Sequence, residues 1–296
     1  MTSELPPDVI AQLKTFDPAI TPELAERSWA LLTPFHEKAG YTAPRIDRDL
    51  RYGEHERHRL DVHTSDGPGG AARPVVVFVH GGGFTGGDKL IPGTPRYDLF
   101  GAWAVRHGYV GVTMTYRLAP GHKWPSGAVD VAAAVAWIRE NIAAYGGDPD
   151  RIVVGGNSAG AVHVASYVAG HGGTSAAIRG AALLSGIYRL RTPRPGEPEH
   201  AYFGPDPDPA SETLSGLVAS DVPLLFGVAE NDPPAFHREA AGVVAAWQEK
   251  RGIMPNLVWV EGHNHMTVIA SLTVDEPALG VPLRRFVNRV TAPLPD

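Results

Sequence analysis

The order of apolar segments along the chain predicts an α/β fold, with a mostly parallel central sheet and helices on both of its faces. Short, continuous apolar runs, typical of strands buried on both sides, are separated by helical segments. Such alternation implies crossover connections, which make successive strands parallel. The 296 residues are 43% hydrophobic and 20% charged, which is enough apolar material for a sizeable core.

The individual elements follow from their periodicity. Residues 46–52 and 57–63 alternate polar and apolar side chains, which predicts antiparallel edge strands. The clearest helix covers 128–145, where apolar residues recur at spacings of three and four, and a second covers 234–252. Continuous apolar runs predict the remaining strands, at 74–79, 109–113, 151–154, 178–184, 222–228 and 257–260.

Residues 1–45 are predicted to form an N-terminal helical arm or lid, and 46–296 the main domain. Six prolines punctuate this opening segment. A helix is expected to begin at Thr21-Pro22, with the threonine as cap and the proline at the first helical position. Trp29 and Phe35 need a buried environment, which favours packing over a frayed tail.

Residues 189–210 interrupt the alternation and carry six prolines. This segment follows the carboxyl end of a predicted strand, the edge where open α/β sheets bind ligands. Long loops inside compact domains are usually functional or mobile. A functional loop and a solvated connector both remain open at this point.

Composition and charge exclude several classes of function. The chain has no cysteine, which excludes disulfides, a thiol nucleophile and cysteine-ligated metal centres. Its formal charge is −6, and the absence of a basic run argues against nucleic-acid binding. No apolar stretch approaches the roughly 18 residues of a membrane span, and no secretory signal is visible. We therefore expect a soluble, cytoplasmic protein with no nucleic-acid or membrane partner; a homodimer is one alternative for its oligomeric state.

The sequence Gly-Asn-Ser-Ala-Gly at 156–160 lies between a predicted strand and a predicted helix. A strand that reverses sharply into a helix exposes one side chain at the bend, and the residues two before and two after it must be small. Ser158 would stand at this bend beside a helix N-terminus, where the dipole and free N–H groups favour developing negative charge. Ser158 is therefore a candidate nucleophile.

The sequence His-Gly-Gly-Gly-Phe at 80–84 directly follows the predicted strand at 74–79. Its glycines allow backbone N–H groups to approach a substrate closely. With the N–H of Ala159 they are expected to form an oxyanion hole, where a single donor contributes about 3–4 kcal/mol of transition-state stabilisation. A phosphate cradle is disfavoured, because no Gly-Lys-Ser/Thr follows and the dinucleotide-binding spacing is absent.

A serine nucleophile of this kind needs an orienting acid and then a base later in the chain. Glu230 and Asp232 follow the predicted strand at 222–228. Asp232 is preferred because it lies farther out in the loop, where Pro233 shapes the turn, and Glu230 is the alternative.

Two histidines, His263 and His265, follow the last predicted strand. His265 is preferred as the base because it directly precedes an apolar helix predicted at 266–272, which can anchor it. His263 is the alternative.

Together these motifs resemble the α/β-hydrolase superfamily, and within it the chain is similar to hormone-sensitive-lipase-like carboxylesterases and to the neighbouring arylformamidase-like esterases. The motifs that carry the resemblance are His80–Phe84, Tyr116–Pro120, Trp124-Pro125, Asp130, Gly147-Asp148-Pro149 and Gly156–Gly160. Two positions depart from the lipase-like pattern: Asn157 stands where aspartate is usual, and Ala161 where glycine is usual.

The resemblance implies a role for each site residue. Ser158 would be the nucleophile, Asp232 the acid and His265 the base. The oxyanion donors would be the amides of Gly82, Gly83 and Ala159. The resemblance also implies that no metal or organic cofactor is needed.

The function expected from these residues is a serine carboxylesterase that hydrolyses small to medium esters through an acyl-enzyme. An arylformamidase or amide hydrolase acting on an aromatic N-formyl or acyl substrate is the alternative. A non-catalytic receptor is disfavoured because every part of the Ser-Asp-His set is present.

Aromatic residues near the predicted strand ends are candidate walls of a small-molecule pocket. Phe84, Tyr188 and Phe203 are the preferred substrate-binding candidates. By contrast, His55, His58 and His63 are expected to be solvated surface residues, because a separation of five places the last two on opposite faces of a strand.

Overall fold

The computed structural model describes residues 5–65, 71–189, 191–272 and 278–293. These residues form an eight-stranded sheet. Its strands are β1 (Arg45–Arg51), β2 (Arg59–Thr64), β3 (Arg73–Val79), β4 (Val110–Met114), β5 (Gly147–Asn157), β6 (Gly180–Leu184), β7 (Leu224–Asn231) and β8 (Leu257–Asn264). Their order in the sheet is β1-β2-β4-β3-β5-β6-β7-β8. The pairs β1–β2 and β2–β4 are antiparallel, and the other neighbours are parallel.

Helices cover both faces of this sheet, which confirms the predicted fold class. The α-helices are α1 (Pro7–Lys14), α2 (Pro22–Ala39), α3 (Asp98–Arg106), α4 (Ser126–Asn141), α5 (Ala159–Val168), α6 (Pro198–Phe203), α7 (Leu214–Ala219), α8 (Pro234–Arg251) and α9 (Gly280–Thr291). Short 3-10 helices cover Ile142–Tyr145, Ser175–Ala177, Pro209–Ser211 and Val268–Leu272.

Strand β3 shows why the central runs are continuously apolar. Val75 and Val77 pack into the core beneath α4, α5, α7 and α8. Val76 and Phe78 pack into the second core, beneath α1, α2, α3 and α9. Because successive side chains point to opposite faces of a sheet, a strand buried on both faces needs an apolar residue at every position.

Most predicted elements are confirmed, with three differences. β1 is an edge strand as predicted, but β2 is interior, because it pairs with β4 on its other side. The helix predicted at 266–272 is a 3-10 helix over Val268–Leu272. The proline-rich segment 189–210, of which Leu190 lies outside the described residues, contains helix α6.

The described part of the opening segment packs against the sheet. Thr21 caps α2 as predicted, accepting a hydrogen bond from the Leu24 N–H at 3.0 Å. Leu13 and Leu32 are fully buried in the core on the α3 and α9 face. Helix α1 lies against β8, so this segment reaches the carboxyl ends of the last two strands. Residues 1–4 of the predicted arm lie outside the described residues.

Candidate active site

Ser158 lies at a sharp bend between β5 and α5. Its backbone dihedrals are φ 54° and ψ −125°, a strained conformation for a residue other than glycine. A Cβ atom added at Gly156 would lie 2.6 Å from the carbonyl carbon of Gly160. One added at Gly160 would overlap the carbonyl oxygen of Val79. The glycines on either side of the serine are therefore required by close backbone packing.

The structure brings Ser158, His265 and Asp232 into one hydrogen-bonded series. His265 Nε2 lies 2.9 Å from Ser158 Oγ, and His265 Nδ1 lies 2.7 Å from Asp232 Oδ1. The acid follows β7 and the histidine follows β8, so parallel strands deliver both side chains to the same edge of the sheet. The ring of Phe236 packs 4.4 Å from the imidazole and limits its movement.

Asp232 is buried, and each of its carboxylate oxygens is engaged. While Oδ1 faces His265, Oδ2 accepts hydrogen bonds from Ser185 Oγ at 2.6 Å and from the Ala229 N–H at 2.8 Å. Sequence reasoning missed Ser185. The available signal was its position directly after the apolar strand β6, at the edge where the other site residues lie.

The alternative acid, Glu230, is bound elsewhere. Its carboxylate accepts the Gly262 N–H at 2.7 Å and pairs with Lys14 Nζ at 3.0 Å. The hydrogen bond from Gly262 and the lysine charge hold the pKa of Glu230 below its usual value. Glu230 therefore ties α1 to the end of β8, and the alternative base, His263, is a buried residue of that strand.

The glycine-rich loop lies directly against the serine. A Cβ atom at Gly81 would be 3.3 Å from Ser158 Cβ, and Gly82 and Gly83 have φ values of 134° and 58°. Among the residues that the structure describes, the amides of Gly82, Gly83 and Ala159 donate no hydrogen bond. These three amides are available to an anionic oxygen beside Ser158.

His80, the first residue of the loop, is buried, and two contacts hold its ring. Its ring stacks on Tyr116 at 4.3 Å, and Nδ1 lies 2.5 Å from the Gly81 carbonyl oxygen. Complete burial lowers the pKa of His80 to about 4. By donating to that carbonyl, the His80 Nδ1–H holds the peptide group between Gly81 and Gly82 in place.

Two of the predicted pocket aromatics lie together. Phe84 stacks on Tyr202 at 4.5 Å, and Phe203 packs edge-on against Phe84 at 5.6 Å. This aromatic cluster includes Ala159 of the bend. Tyr188 lies elsewhere, in the core beneath α8, with its ring 5.6 Å from Phe226.

Helix α6 lies over the glycine-rich loop, a contact that sequence reasoning did not foresee. A Cβ atom at Gly83 would lie 3.1 Å from Pro198 Cβ. Tyr202 fixes the other end of α6, because its hydroxyl accepts the Gly127 N–H at 3.2 Å and lies 3.2 Å from His163 Nδ1. The proline-rich segment therefore packs against the glycine-rich loop through α6 and is not a solvated connector.

The expectation of three solvated histidines at the start of the domain was wrong for two of them. His63 is fully buried against Gly101 and lies 3.3 Å from Thr113 Oγ1. His58 is largely buried, with Nε2 3.1 Å from Asp130 Oδ1. The physical reason is that helix α3 covers the face of β2 that carries His63, with Gly101 against its ring. His58, which precedes β2, stacks on Tyr52 and reaches Asp130.

The described part of the chain has neither a metal-binding cluster nor a membrane-spanning helix. No group of three or more histidine, aspartate or glutamate side chains there has the arrangement of a metal site. Each helix in those ranges is too short or too polar to cross a lipid bilayer.

Comparison with known proteins finds one matching family profile and several similar esterases. The profile of the BD-FAE family matches residues 60–180. Esterase LipQ of Mycobacterium tuberculosis is 36% identical over 154 residues, covering 48% of this chain and 35% of that protein. Carboxylesterase NlhH of the same organism is 47% identical over 88 residues, covering 29% of this chain and 26% of that protein. The chain thus spans about a third or less of these curated relatives.

Solved structures extend the similarity to the whole fold. An esterase from Pyrobaculum calidifontis superposes with a TM-score of 0.68 at 22% identity, covering 98% of this chain and 100% of that one. A thermostable esterase from Pseudomonas putida superposes with a TM-score of 0.67 at 19% identity, covering 97% of each chain. The chain therefore has the fold of these esterases, and over part of its length it is similar in sequence to esterase LipQ and carboxylesterase NlhH.

Proposed function

We propose that the protein is a serine carboxylesterase that hydrolyses small to medium carboxylic esters through an acyl-enzyme on Ser158. The observation that carries this proposal is the hydrogen-bonded series from Ser158 through His265 to Asp232. The named esterases among the sequence relatives support the same reaction class.

The first half of the reaction forms the acyl-enzyme. His265 Nε2 takes the Ser158 hydroxyl proton, and Oγ attacks the ester carbonyl carbon. The tetrahedral intermediate collapses, the C–O bond to the alcohol breaks, and His265 returns the proton to the departing alcohol oxygen. Asp232 keeps Nδ1 protonated and stabilises the imidazolium that forms between these steps.

The glycine-rich loop stabilises the charge that develops on the carbonyl oxygen. The donors are the amides of Gly82, Gly83 and Ala159, whose hydrogen-bonding capacity is unused within the described residues. Because close backbone packing holds the loop against Ser158 and Gly86, these amides should need little rearrangement when the oxyanion forms.

The second half of the reaction releases the carboxylic acid product. Water enters where the alcohol left, His265 Nε2 takes one of its protons, and the water oxygen attacks the acyl carbonyl carbon. The Ser158–acyl bond then breaks as His265 returns that proton to Ser158 Oγ. In this proposal residues 46–296 carry the chemistry. The described part of the opening segment supports the ends of β7 and β8 through the Lys14–Glu230 pair at 3.0 Å.

The direct test is hydrolysis of p-nitrophenyl esters from acetate to decanoate by the wild type and by Ser158→Ala. The wild type should turn over the short-chain esters, and Ser158→Ala should lose roughly 10⁵-fold or more in kcat. Wild-type turnover that persists in Ser158→Ala contradicts the proposal. Turnover of a matched anilide or formanilide without turnover of esters would move the assignment to an amide hydrolase.

A further inference from the structure

A buried group of charged residues lies beside the glycine-rich loop and has no part in the hydrolytic steps. Lys89, five residues after Phe84, is only 4% exposed. Its ammonium group lies 2.8 Å from Asp61 Oδ1 and 2.9 Å from Asp49 Oδ1. Burying a lysine is costly, and it is tolerated when carboxylates of this kind compensate the charge.

Asp61 is the centre of this group and is completely buried on β2. Besides Lys89, its carboxylate accepts Arg48 Nη1 at 2.8 Å and the Asp49 N–H at 2.8 Å. Arg48 and Asp49 lie where the pairing of β1 with β2 is irregular, which folds both residues over Asp61. The anchor that receives Lys89 is therefore part of the sheet.

The segment that Lys89 holds packs directly on the oxyanion glycines. The Gly86 N–H donates to the Gly82 carbonyl at 3.1 Å. A Cβ atom at Gly82 would overlap the Gly86 carbonyl oxygen, and one at Gly87 would overlap the Gly81 carbonyl oxygen. The chain at 86–87 therefore doubles back onto 81–82 with no space between the two backbones.

Arg57 holds the same turn from a second direction. Its guanidinium donates to the Gly87 carbonyl at 2.9 Å and to the Tyr116 carbonyl at 2.7 Å. Gly87 is thus fixed by Arg57 on one side, and the chain two residues later is fixed by the buried ammonium of Lys89.

We propose that Lys89 is a positioning residue for ester hydrolysis: by anchoring the end of the glycine-rich loop to Asp61 and Asp49, it sets the direction of the Gly82 and Gly83 amides. This inference rests on the proposed function. Lys89 touches no reacting atom and acts only through the packing of 86–87 on 81–82. A displacement of a catalytic group by about 1 Å can reduce the rate about 100-fold, which gives the size of the expected effect.

Arg48 offers a matched control within the same group of charges. It shares Asp61 with Lys89, but its other partner is Asp98 of α3, at 2.6 Å, rather than the loop. Arg48→Met therefore removes a positive charge from the same carboxylate while leaving the loop anchor in place. A general loss of stability would affect Arg48→Met at least as strongly as Lys89→Met.

The experiment compares wild type, Lys89→Met and Arg48→Met for kcat and KM on a p-nitrophenyl ester, affinity for a trifluoromethyl ketone inhibitor, and Tm. For Lys89→Met, kcat and inhibitor affinity should fall in parallel by about 10- to 100-fold, with KM within about 3-fold of wild type. Arg48→Met should keep kcat within about 3-fold although its Tm is lower. If Lys89→Met does not fold, Lys89→Gln replaces it: this variant removes the charge but keeps a polar side chain, and the same fall in kcat and inhibitor affinity is expected.

Hydrogen–deuterium exchange of the peptide covering 80–90 gives a readout that does not need activity. Exchange there should be faster in Lys89→Met than in Arg48→Met. Equal changes in kcat and exchange in the two variants, or a kcat for Lys89→Met within about 3-fold of wild type, would overturn the inference. If the wild type hydrolyses no ester, the proposed function fails, while the exchange comparison still decides whether Lys89 anchors the loop.

Discussion

At the scale of single residues, the two carboxylates after β7 have separate tasks. Asp232 faces His265 Nδ1 at 2.7 Å, whereas Glu230 is held by Lys14 and by the Gly262 N–H at 2.7 Å. The two residues are two positions apart. The pairing of β7 with β8 is irregular between Ala229 and Asn231, so the two side chains point in different directions. This difference in contacts yields a paired prediction.

Asp232→Asn should reduce kcat about 10⁴-fold, because an amide cannot stabilise the imidazolium and favours the wrong tautomer of His265. Glu230→Gln should leave kcat within about 3-fold of wild type, since its partners are structural. Steady-state kinetics on one ester measures both. A larger kcat loss in Glu230→Gln than in Asp232→Asn would show that the acid has been misassigned.

At the scale of elements, α6 is the helix of the proline-rich segment that packs against the glycine-rich loop. Tyr202→Phe removes a hydroxyl that accepts from Gly127 and lies 3.2 Å from His163 Nδ1, but it keeps the ring stacked on Phe84. We expect it to lower the free energy of unfolding by about 1–2 kcal/mol. Tyr202→Ala also removes the ring and should cost about 3–5 kcal/mol.

Urea unfolding measures these costs, and steady-state kinetics on a p-nitrophenyl ester measures the effect on the site. Only Tyr202→Ala should raise KM, because only that change removes the ring that supports Phe84. Equal KM values for the phenylalanine and alanine variants would show that α6 does not shape the substrate site.

Helices α1 and α2 share their core with the sheet, so they are expected to unfold together with it. Leu13→Ala deletes a fully buried side chain of α1 and should lower the unfolding free energy by about 2–5 kcal/mol. Gln12→Ala, on the exposed side of the same helix, should change it by less than about 0.5 kcal/mol. Two separate urea transitions, with Leu13→Ala moving only the smaller one, would show an independent arm.

At the scale of the whole molecule, four buried histidines make stability depend on pH. Burial lowers the pKa of His36, His63 and His80 to about 4 and that of His163 to about 3. In the unfolded chain each would titrate near 6.5. The unfolded state therefore binds more protons between pH 6.5 and 4, and native stability is lost as the pH falls through that interval.

The size of this effect can be measured by thermal unfolding. A single histidine with a native pKa near 4 lowers the free energy of unfolding by about 2 kcal/mol at pH 5 relative to neutral pH. This loss corresponds to a fall in Tm of roughly 5 °C. Several such residues should make the fall between pH 7 and 5 steeper. A Tm that is flat or rises over this range would show that these histidines are not held neutral by burial.

The parts of this molecule that could be predicted from sequence are those set by local pattern. The parallel strands follow from continuous apolar runs, and the bend at Ser158 follows from its two spaced glycines. The end of β7 and the end of β8 meet Ser158 because all three follow parallel strands. These features depend on strand direction and on residue size, and the pattern of residues within short segments of the chain predicts both.

Other features depend on contacts between distant segments and could not be predicted from local pattern. Ser185 supports Asp232 across 47 positions of sequence, and Pro198 reaches Gly83 only through the path of the proline-rich segment. His63 is buried because helix α3, 35 or more positions later in the chain, packs Gly101 against its ring. The periodicity of a single segment does not predict these contacts, because each one joins segments that are distant in the sequence.

The central claim is that Ser158 is a nucleophile activated by His265. Intact-mass spectrometry after incubation with a fluorophosphonate, followed by peptide mapping, tests it directly in wild type, Ser158→Ala and His265→Asn. We predict one adduct per wild-type chain on the peptide containing Ser158, none in Ser158→Ala, and much slower labelling in His265→Asn. An adduct that persists in Ser158→Ala, or a wild type that stays unlabelled, would contradict the claim.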